Sequence, residues 1–313
     1  MSIKHKSVEK VKPTNFRKRK ELTFYSLMMV IPVIQVIIFY FIININSISL
    51  AFKSYSYGGD GALASYTFVG FENFKKCFID LFNEYSLKSA FKNSMLAFAL
   101  QTLFIPWIAM IFSYYIYKNK FGKSIFNIFL FLPSIISPLV ITLIYKVMLE
   151  DALPQLLFQL FDAKVMPIYT THTMASLLFY YLLTAFGTSV LLYTGGMSGI
   201  DPSIIEAADL DGATGFKGFL FVIFPLIYPT YVTFIIVGLS SIFTNQLNLF
   251  SFERASAEKK FYTYGYYLYR QTAVGGLSDY PYLSAMGLIF TFIAIPITFG
   301  VRRLLNKFGP SVY

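Results

Sequence analysis

Residues 204–216 read IIEAADLDGATGF and place three acidic side chains beside an Ala-Ala pair and a glycine. The acids are Glu206, Asp209 and Asp211, and long apolar runs lie on both sides of them. Acids are scarce in this chain, which has 16 Asp and Glu in 313 residues. Because a charged side chain is costly inside hydrocarbon, this stretch is typical of a loop that leaves a membrane.

The composition around the loop indicates a membrane protein. Hydrophobic residues make up 56% of the chain and charged residues 13%, whereas about 25% of a soluble domain is charged. A helix needs roughly 20 apolar residues to cross a bilayer. Six segments meet that length: Leu22 to Ile43, Asn93 to Tyr117, Ser124 to Tyr145, Thr173 to Ile200, Phe219 to Phe250 and Tyr280 to Val301. We therefore predict an all-α polytopic membrane protein with six transmembrane helices.

The distribution of lysine and arginine predicts the orientation. The N-terminal tail and the loops on its side carry 15 of them, and the longer loops on the other side carry nine. Since positive loops stay preferentially cytoplasmic, both termini are predicted to be cytoplasmic. We divide the chain into a basic cytoplasmic tail, 1–21, a transmembrane domain, 22–304, with a cytoplasmic loop at 201–222, and a C-terminal cytoplasmic tail, 305–313.

Several kinds of chemistry lack the residues they need. The net charge of +10 comes largely from basic residues beside membrane spans, which indicates membrane lipid rather than nucleic acid as a partner. The histidines are His5 in the tail and His172 at a membrane edge, so we predict no catalytic residue and no metal site. A phosphate loop is also missing from the sequence. Any energy for transport must therefore come from a partner or a gradient.

The spans also lack the residues of a proton-coupled carrier. Such carriers place ionisable side chains inside the membrane, and here Lys92 and Lys146 lie only at segment edges. Sodium coupling through backbone carbonyls of broken helices stays open.

Two outer loops contain aromatic patterns. FVGFENFKKCF at 68–78 spaces Phe71, Phe74 and Phe78 by three and four residues, which predicts a short amphipathic helix on the membrane surface or against the spans. The loop at 251–279 carries a tyrosine cluster that suits an interfacial aromatic belt: Tyr262, Tyr264, Tyr266, Tyr267 and Tyr269.

The acidic loop has the signals of a short helix outside the bilayer. Asp201 suits the N-cap, Pro202 the first helical position, and Gly212 the left-handed residue after the last turn. Ile204, Ile205 and Ala208 share one face, and Glu206 and Asp209 share another: these positions are spaced by three or four residues. A second short amphipathic piece, Phe216 to Phe221, follows. The segment is either a helix–turn–helix knob or a solvated interfacial loop.

The residues of this loop resemble the EAA signature of binding-protein-dependent ABC importer permeases, E-A-A-x3-G-x9-I-x-L-P. Here the pattern is Glu206-Ala207-Ala208, Gly212 after three residues, Val222 after nine more, and Phe224-Pro225. Val222 replaces Ile and Phe224 replaces Leu, and both changes keep an apolar side chain.

Two further segments narrow the resemblance. EAADLDGA is similar to the version in the carbohydrate uptake group that includes maltose-type and glycerol-3-phosphate-type permeases, in which Asp-Gly-Ala is usual. FVGFENFKKCF resembles the segment that follows the first span in the same group. With YYLYR at 266–270 and YLSAMG at 282–287, the resemblance covers nearly the whole chain.

The resemblance implies a type I ABC importer permease in the cytoplasmic membrane of a prokaryote. An extracytoplasmic solute-binding protein delivers a sugar or oligosaccharide, and a second homologous permease and two ATPase subunits complete the assembly. ATP and Mg would be bound by the partner ATPase, so no cofactor is expected in this chain. The alternatives are a permease of the same architecture for another polar solute, such as glycerol-3-phosphate, and a gradient-driven carrier or a channel.

The resemblance also assigns residues. The EAA helix would be a coupling helix seated in a groove of one ATPase, and the coupling residues would be Glu206, Ala207, Ala208, Asp209, Asp211, Gly212, Ala213 and Pro225. For the substrate path, the fifth span is the segment densest in polar side chains, and the candidates are Thr244, Asn245, Gln246 and Asn248. Each of these is also a plausible helix-to-helix hydrogen-bonding residue.

Overall fold

The computed structural model describes residues 15–56, 65–118 and 121–310. Most of the predicted basic tail, residues 1–14, and the last residues of the C-terminal tail, 311–313, lie outside the described residues.

The described part of the chain is mostly helical. Its α-helices are α1 Asn15–Val36, α2 Ile43–Ala51, α3 Glu72–Asn83, α4 Tyr85–Ala99, α5 Ile105–Tyr117, α6 Lys123–Ile135, α7 Pro138–Val147, α8 Leu153–Phe161, α9 Ile168–Thr171, α10 Thr173–Ser198, α11 Pro202–Leu210, α12 Gly215–Gly218, α13 Phe224–Ser241, α14 Leu249–Glu253, α15 Tyr264–Val274 and α16 Tyr280–Phe308. Short π-helical segments at Ile37–Ile42, Leu100–Phe104, Met148–Ala152 and Phe219–Ile223 join consecutive helices, and Lys259–Phe261 is a 3₁₀ turn.

Five continuous helices in the described residues are long and apolar enough to cross a membrane. They are Lys20–Ala51, Tyr85–Tyr117, Thr173–Ser198, Gly215–Ser241 and Tyr280–Phe308. Each overlaps one of the predicted spans, and the helices at the first, second and sixth predicted spans extend well beyond the predicted ends. These helices are longer than predicted because polar residues next to the apolar segments continue the helix.

The third predicted span, 124–145, is not one continuous helix. It is divided into α6 and α7 at Ile136 and Ser137, whose backbones are extended. The cause is Pro138, which lacks an N–H and disfavours helical geometry at the residue before it. Pro133 is instead accommodated inside α6.

The fifth predicted span also ends earlier than expected, at Ser241 rather than Phe250. Leu247 and Asn248 have φ of 50° and 54°, which a right-handed helix does not permit. The Asn245 Oδ1 atom accepts a hydrogen bond from the Leu247 backbone N–H at 2.8 Å, a local bond that competes with helix continuation. The four candidate substrate-path residues therefore lie in a turn after the helix.

The interior has two hydrophobic clusters. We call the first the outer core; it joins α4, α7, α10, α14, α15 and α16 and contains Leu87, Tyr180, Phe252 and Met286. The second, the inner core, joins α5, α10 and the start of α13 through Met110, Tyr193, Met197 and Phe219.

The tyrosine cluster belongs to the outer core. Tyr262, Tyr264, Tyr266 and Tyr267 are buried, and Tyr269 is 44% exposed. The predicted aromatic belt at the membrane interface is therefore wrong for four of these five rings, because helix α15 folds back onto α4 and α16 and encloses them.

The outer loop contains the predicted amphipathic helix as α3, which begins after Phe71. Cys77 is the buried residue of α3, and its thiol donates to the Tyr282 carbonyl of α16 at 3.4 Å. Phe71 and Phe78 remain exposed. Before α3, strands β1 Lys53–Ser56 and β2 Ser65–Phe68 pair as an antiparallel hairpin that was not predicted.

Candidate coupling site and solute path

The start and end of α11 follow its local sequence. Asp201 Oδ1 accepts the Ser203 backbone N–H at 2.9 Å, and this N-cap lowers the pKa of the Asp201 carboxyl by stabilising its charged form. At the other end, Ala213 N bonds to Ala208 O and Gly212 N to Asp209 O, the pattern of a Schellman motif. Gly212 has φ of +76°, as the motif requires. The predicted helix–turn–helix knob is present.

Helix α11 is fastened to the C-terminal end of α5. The Lys118 ammonium lies 3.3 Å from a carboxylate oxygen of Asp209. The Tyr114 hydroxyl donates to the Gly215 carbonyl at 3.0 Å, and Ile205 packs against the inner core. An apolar contact and an ion pair therefore hold α11 beside the end of α5, and the Tyr114 bond holds the start of α12 to the same helix.

The connection from α11 to α13 is compact. Gly218 is buried against the Ala213 carbonyl so closely that an added Cβ would lie 2.3 Å from that oxygen. Gly215 adopts φ of +58° and begins α12. The π-helical segment that follows brings Phe219 and Ile223 into the inner core, so that a short, packed connection links α11 to α13.

The free face of α11 combines apolar and acidic groups. Leu210 is 89% exposed and Ile204 is 41% exposed, and Glu206, Ala207 and Asp211 are exposed beside them. Glu206 forms no ion pair with any described residue. The sequence analysis did not select Leu210, because the EAA pattern allows any residue at that position. An exposed leucine beside acidic residues is nevertheless typical of a contact surface.

The predicted coupling residues divide into different environments. Glu206, Ala207 and Asp211 lie on the free face, whereas Ala208 and Ala213 are half-buried toward the rest of the chain. Asp209 is paired with Lys118. Pro225 lies in the first turn of α13, half-buried.

A second polar site lies where α13 ends. The Ser241 hydroxyl donates to the Gln101 side-chain oxygen at 3.0 Å, and Gln101 belongs to the π-helical segment Leu100–Phe104. Such segments widen a helix and are frequent at functional sites. Gly238 allows this approach, because a Cβ there would lie 2.6 Å from Thr102 Cγ2.

The turn after α13 brings the predicted path residues close to this pair. Thr244 is exposed, and Asn245, Gln246 and Asn248 are half-buried. The Tyr181 hydroxyl of α10 faces the Asn245 amide. Amide and hydroxyl groups of this kind both donate and accept hydrogen bonds, which suits a hydroxyl-rich solute.

Other chemistry is poorly represented around these sites. Among the described residues, no group of three or more His, Cys, Asp or Glu side chains lies together as a metal site.

The hydroxyls of Tyr193 and Thr194 are buried without a hydrogen-bond partner in the described structure. They are among the polar groups in α10 that sequence reasoning did not single out.

Comparison with known protein families identifies the family to which the chain is similar. Residues 85–247 match the family model described as binding-protein-dependent transport system inner membrane component. Among curated relatives, the multiple sugar-binding transport system permease protein MsmF of Streptococcus mutans is 23% identical over 283 residues, covering 89% of this chain and 93% of the relative. The sn-glycerol-3-phosphate transport system permease protein UgpA of Rhizobium meliloti is 25% identical over 178 residues, covering 55% of this chain and 58% of the relative.

Solved structures share the fold. A chain of a bacterial alginate ABC transporter, solved with a periplasmic protein bound to an alginate pentasaccharide, superposes with a TM-score of 0.71 at 18% identity, covering 94% of this chain and 98% of that one. With several membrane-spanning helices, the chain is a multi-pass protein of the cytoplasmic membrane. Because the family match extends over more than half of its residues, the chain belongs to the inner membrane components of binding-protein-dependent transport systems.

Proposed function

We propose that the chain is the permease subunit of an ABC importer that moves a sugar or oligosaccharide into the cell. An extracytoplasmic binding protein delivers the solute, and separate ATPase subunits supply the energy. The observation that carries this proposal is α11, a short capped helix that is exposed on one face and fastened to α5 and α13 on the other.

Helix α11 acts as the coupling helix by seating its free face in a groove of one of two ATPase subunits. Ile204 and Leu210 supply apolar contact area, while Glu206 and Asp211 supply charge. Closure of the ATPase pair moves α11, and the Lys118–Asp209 contact passes that movement to α5. ATP and Mg bind the ATPase subunits, and this chain holds no cofactor.

A second homologous permease completes the pathway. Support comes from α1, whose residues 20–36 are exposed on every side within this chain, whereas α2 packs on α16. A membrane helix that makes so few contacts with its own chain packs against lipid or another subunit.

The cargo class is inferred from relatives and from the polar site at the end of α13. Gln101, Ser241 and Asn245, with Thr244, Gln246 and Asn248 nearby, offer hydrogen-bonding groups without formal charge. Neutral donors and acceptors suit a sugar. The similarity to UgpA supports sn-glycerol-3-phosphate as a second candidate, and that cargo requires a cation near the path to offset its phosphate charge.

The first test is purification of the tagged full chain from its native membrane in mild detergent, followed by mass spectrometry of retained proteins. We expect a second permease and a P-loop ATPase. Sugars and sn-glycerol-3-phosphate are then compared as ligands of the binding protein that stimulates the ATPase in proteoliposomes. Isolation of the chain alone, across detergents and with nucleotide trapping, would contradict the proposal.

A charge-reversal pair tests the docking face. Glu206→Lys should reduce the ATPase retained on the purified chain, because the reversed charge lies on the free face of α11. The matched control is Glu258→Lys, which changes an exposed acid on the outer-core side. Equal ATPase retention by both variants would argue against docking through Glu206.

A further inference from the structure

A groove of about 900 Å³ lies between α13 and the C-terminal end of α16. One part of its wall is apolar and consists of Val232, Ile236 and Val237. The other part is polar and includes Arg302 and Lys307. The groove therefore has an apolar length and a cationic end, and it lies apart from both the free face of α11 and the turn after α13.

The cations at this end are not neutralised by any acidic side chain among the described residues. Arg302 and Lys307 are exposed and form no ion pair with any described residue. Asn306 lies between Arg302 and Lys307 in the sequence. Its side chain also lines the groove and adds an amide donor. Guanidinium, ammonium and amide groups together form a donor set that suits a phosphate.

Hydrogen bonds at the C-terminal end of α16 reduce the repulsion between its backbone carbonyls and a bound anion. Carbonyl groups at a helix C-terminus carry partial negative charge. Here the Leu305 carbonyl accepts from the Tyr228 hydroxyl at 3.0 Å and from the Gly309 N–H at 2.8 Å. One carbonyl in the last turn of α16 is thus already hydrogen-bonded.

We propose that this groove binds an anionic phospholipid of the cytoplasmic leaflet. Its phosphate lies between Arg302 and Lys307, and an acyl chain runs along Val232 and Ile236. The groove lies at the same end of α13 as α11, the end predicted to be cytoplasmic, where anionic headgroups attract basic residues. Bound lipid would fasten α16 to α13, the helix that follows the coupling segment.

A helix of a second permease is the less suitable occupant. If that permease resembles this chain, its first helix begins beside a cluster such as Arg17, Lys18 and Arg19. These cations would enter the membrane at the level of Arg302 and Lys307 and repel them. The charge pattern therefore favours a lipid phosphate.

The test uses the full chain with every subunit that co-purifies, delipidated in mild detergent and then supplied with phosphatidylglycerol or phosphatidylcholine. Native mass spectrometry counts the lipids retained. We expect preferential retention of phosphatidylglycerol, and a loss of about fivefold in its affinity for each cation removed in Arg302→Gln and Lys307→Gln. Arg303→Gln is the matched control, because Arg303 is a neighbouring exposed cation that does not line the groove.

A second variant tests shape without changing charge. Ile236→Trp should fill the apolar part and also reduce phosphatidylglycerol retention, while millimolar inorganic phosphate should leave the lipid bound. Equal retention by the Arg302, Lys307 and Arg303 variants would overturn the proposal. So would retention that appears only after the second permease is removed, since the groove would then be a subunit interface.

Discussion

Asp209 and Gly212 belong to one motif but have different roles in the structure. Asp209 is exposed and forms an ion pair with Lys118, whereas Gly212 ends the helix with a left-handed backbone. One acid of the signature therefore contacts its own chain, at the C-terminal end of α5.

Gly212→Asp should uncouple transport from ATP hydrolysis while the chain remains in the membrane. The new side chain must adopt φ of +76°, and its carboxylate lies beside Asp209 and Asp211. We expect solute uptake to fall by about tenfold or more, equivalent to about 1.4 kcal/mol of lost coupling. Uptake and ATPase activity are measured together in proteoliposomes.

Gly199→Asp is the control for this variant, because Gly199 has φ of −84° and needs no left-handed backbone. It should retain most of its uptake. Normal uptake by Gly212→Asp would remove the coupling role assigned to Gly212.

Cys77 should be unreactive in the folded chain. Burial raises the pKa of its thiol to about 12, so the nucleophilic thiolate is rare at pH 8. Maleimide labelling should be at least about 100-fold slower than at Ser256→Cys, an exposed outer position, made in a Cys77→Ser background. Denaturation in detergent should abolish the difference. Rapid native labelling would show that α3 does not remain packed on α16.

At the scale of elements, two interruptions of the helices have different surroundings. The α6–α7 break follows from Pro138 and lies at the surface of the chain, where Ser137 and Pro138 are exposed. The π-helical segment Leu100–Phe104 instead places the half-buried Gln101 side chain beside Ser241 of α13.

Contact between α6 and α10 depends on Gly187. A Cβ at this position would lie 2.5 Å from the Leu130 carbonyl oxygen. Gly187→Val should therefore separate the two helices and destabilise the fold by about 1–3 kcal/mol. Thermal unfolding in detergent measures the loss, with Gly195→Val as control, because no atom lies within 4 Å of a Cβ at Gly195 of the same helix. Equal melting temperatures for the two variants would contradict the close packing.

At the scale of the whole molecule, the two cores divide the bundle into an inner and an outer half, and α10 contributes buried residues to both. The inner core lies next to α11, and the outer core holds the folded loops. In the first long helix, Ala51 is part of the outer core, and the residues before it belong to neither core. This arrangement is consistent with the proposed packing of the first long helix against a second permease.

A photo-crosslinking side chain at Ile34 should capture the second permease, because Ile34 is 50% exposed on a helix with few contacts in this chain. The same group at Phe292 of α16 is the control for a helix that packs on its own chain. Immunoblotting and mass spectrometry identify the products. If Ile34 yields only lipid adducts in the intact complex, α1 does not contact a second permease.

Local sequence predicted the features that depend on neighbouring residues. The cap of Asp201, the turn at Gly212 and the apolar spans required only side chains within a few positions of each other. The outcome differed for the tyrosines of α15, whose places depend on contacts with helices distant in sequence, which no local pattern describes. Asn245 was placed in a helix because its apolar surroundings outweighed a local turn signal, the bond from the Leu247 N–H to its own side chain.

The sequence by itself determined that the chain crosses a membrane and that an acidic helix stands outside it, because burying charge in hydrocarbon is costly everywhere. Only the tertiary structure decided that Asp209 faces Lys118, that Tyr266 is buried, and that Gln101 meets Ser241. Hydropathy depends on each segment's own composition, whereas these pairings depend on how closely and at what angle separate helices pack.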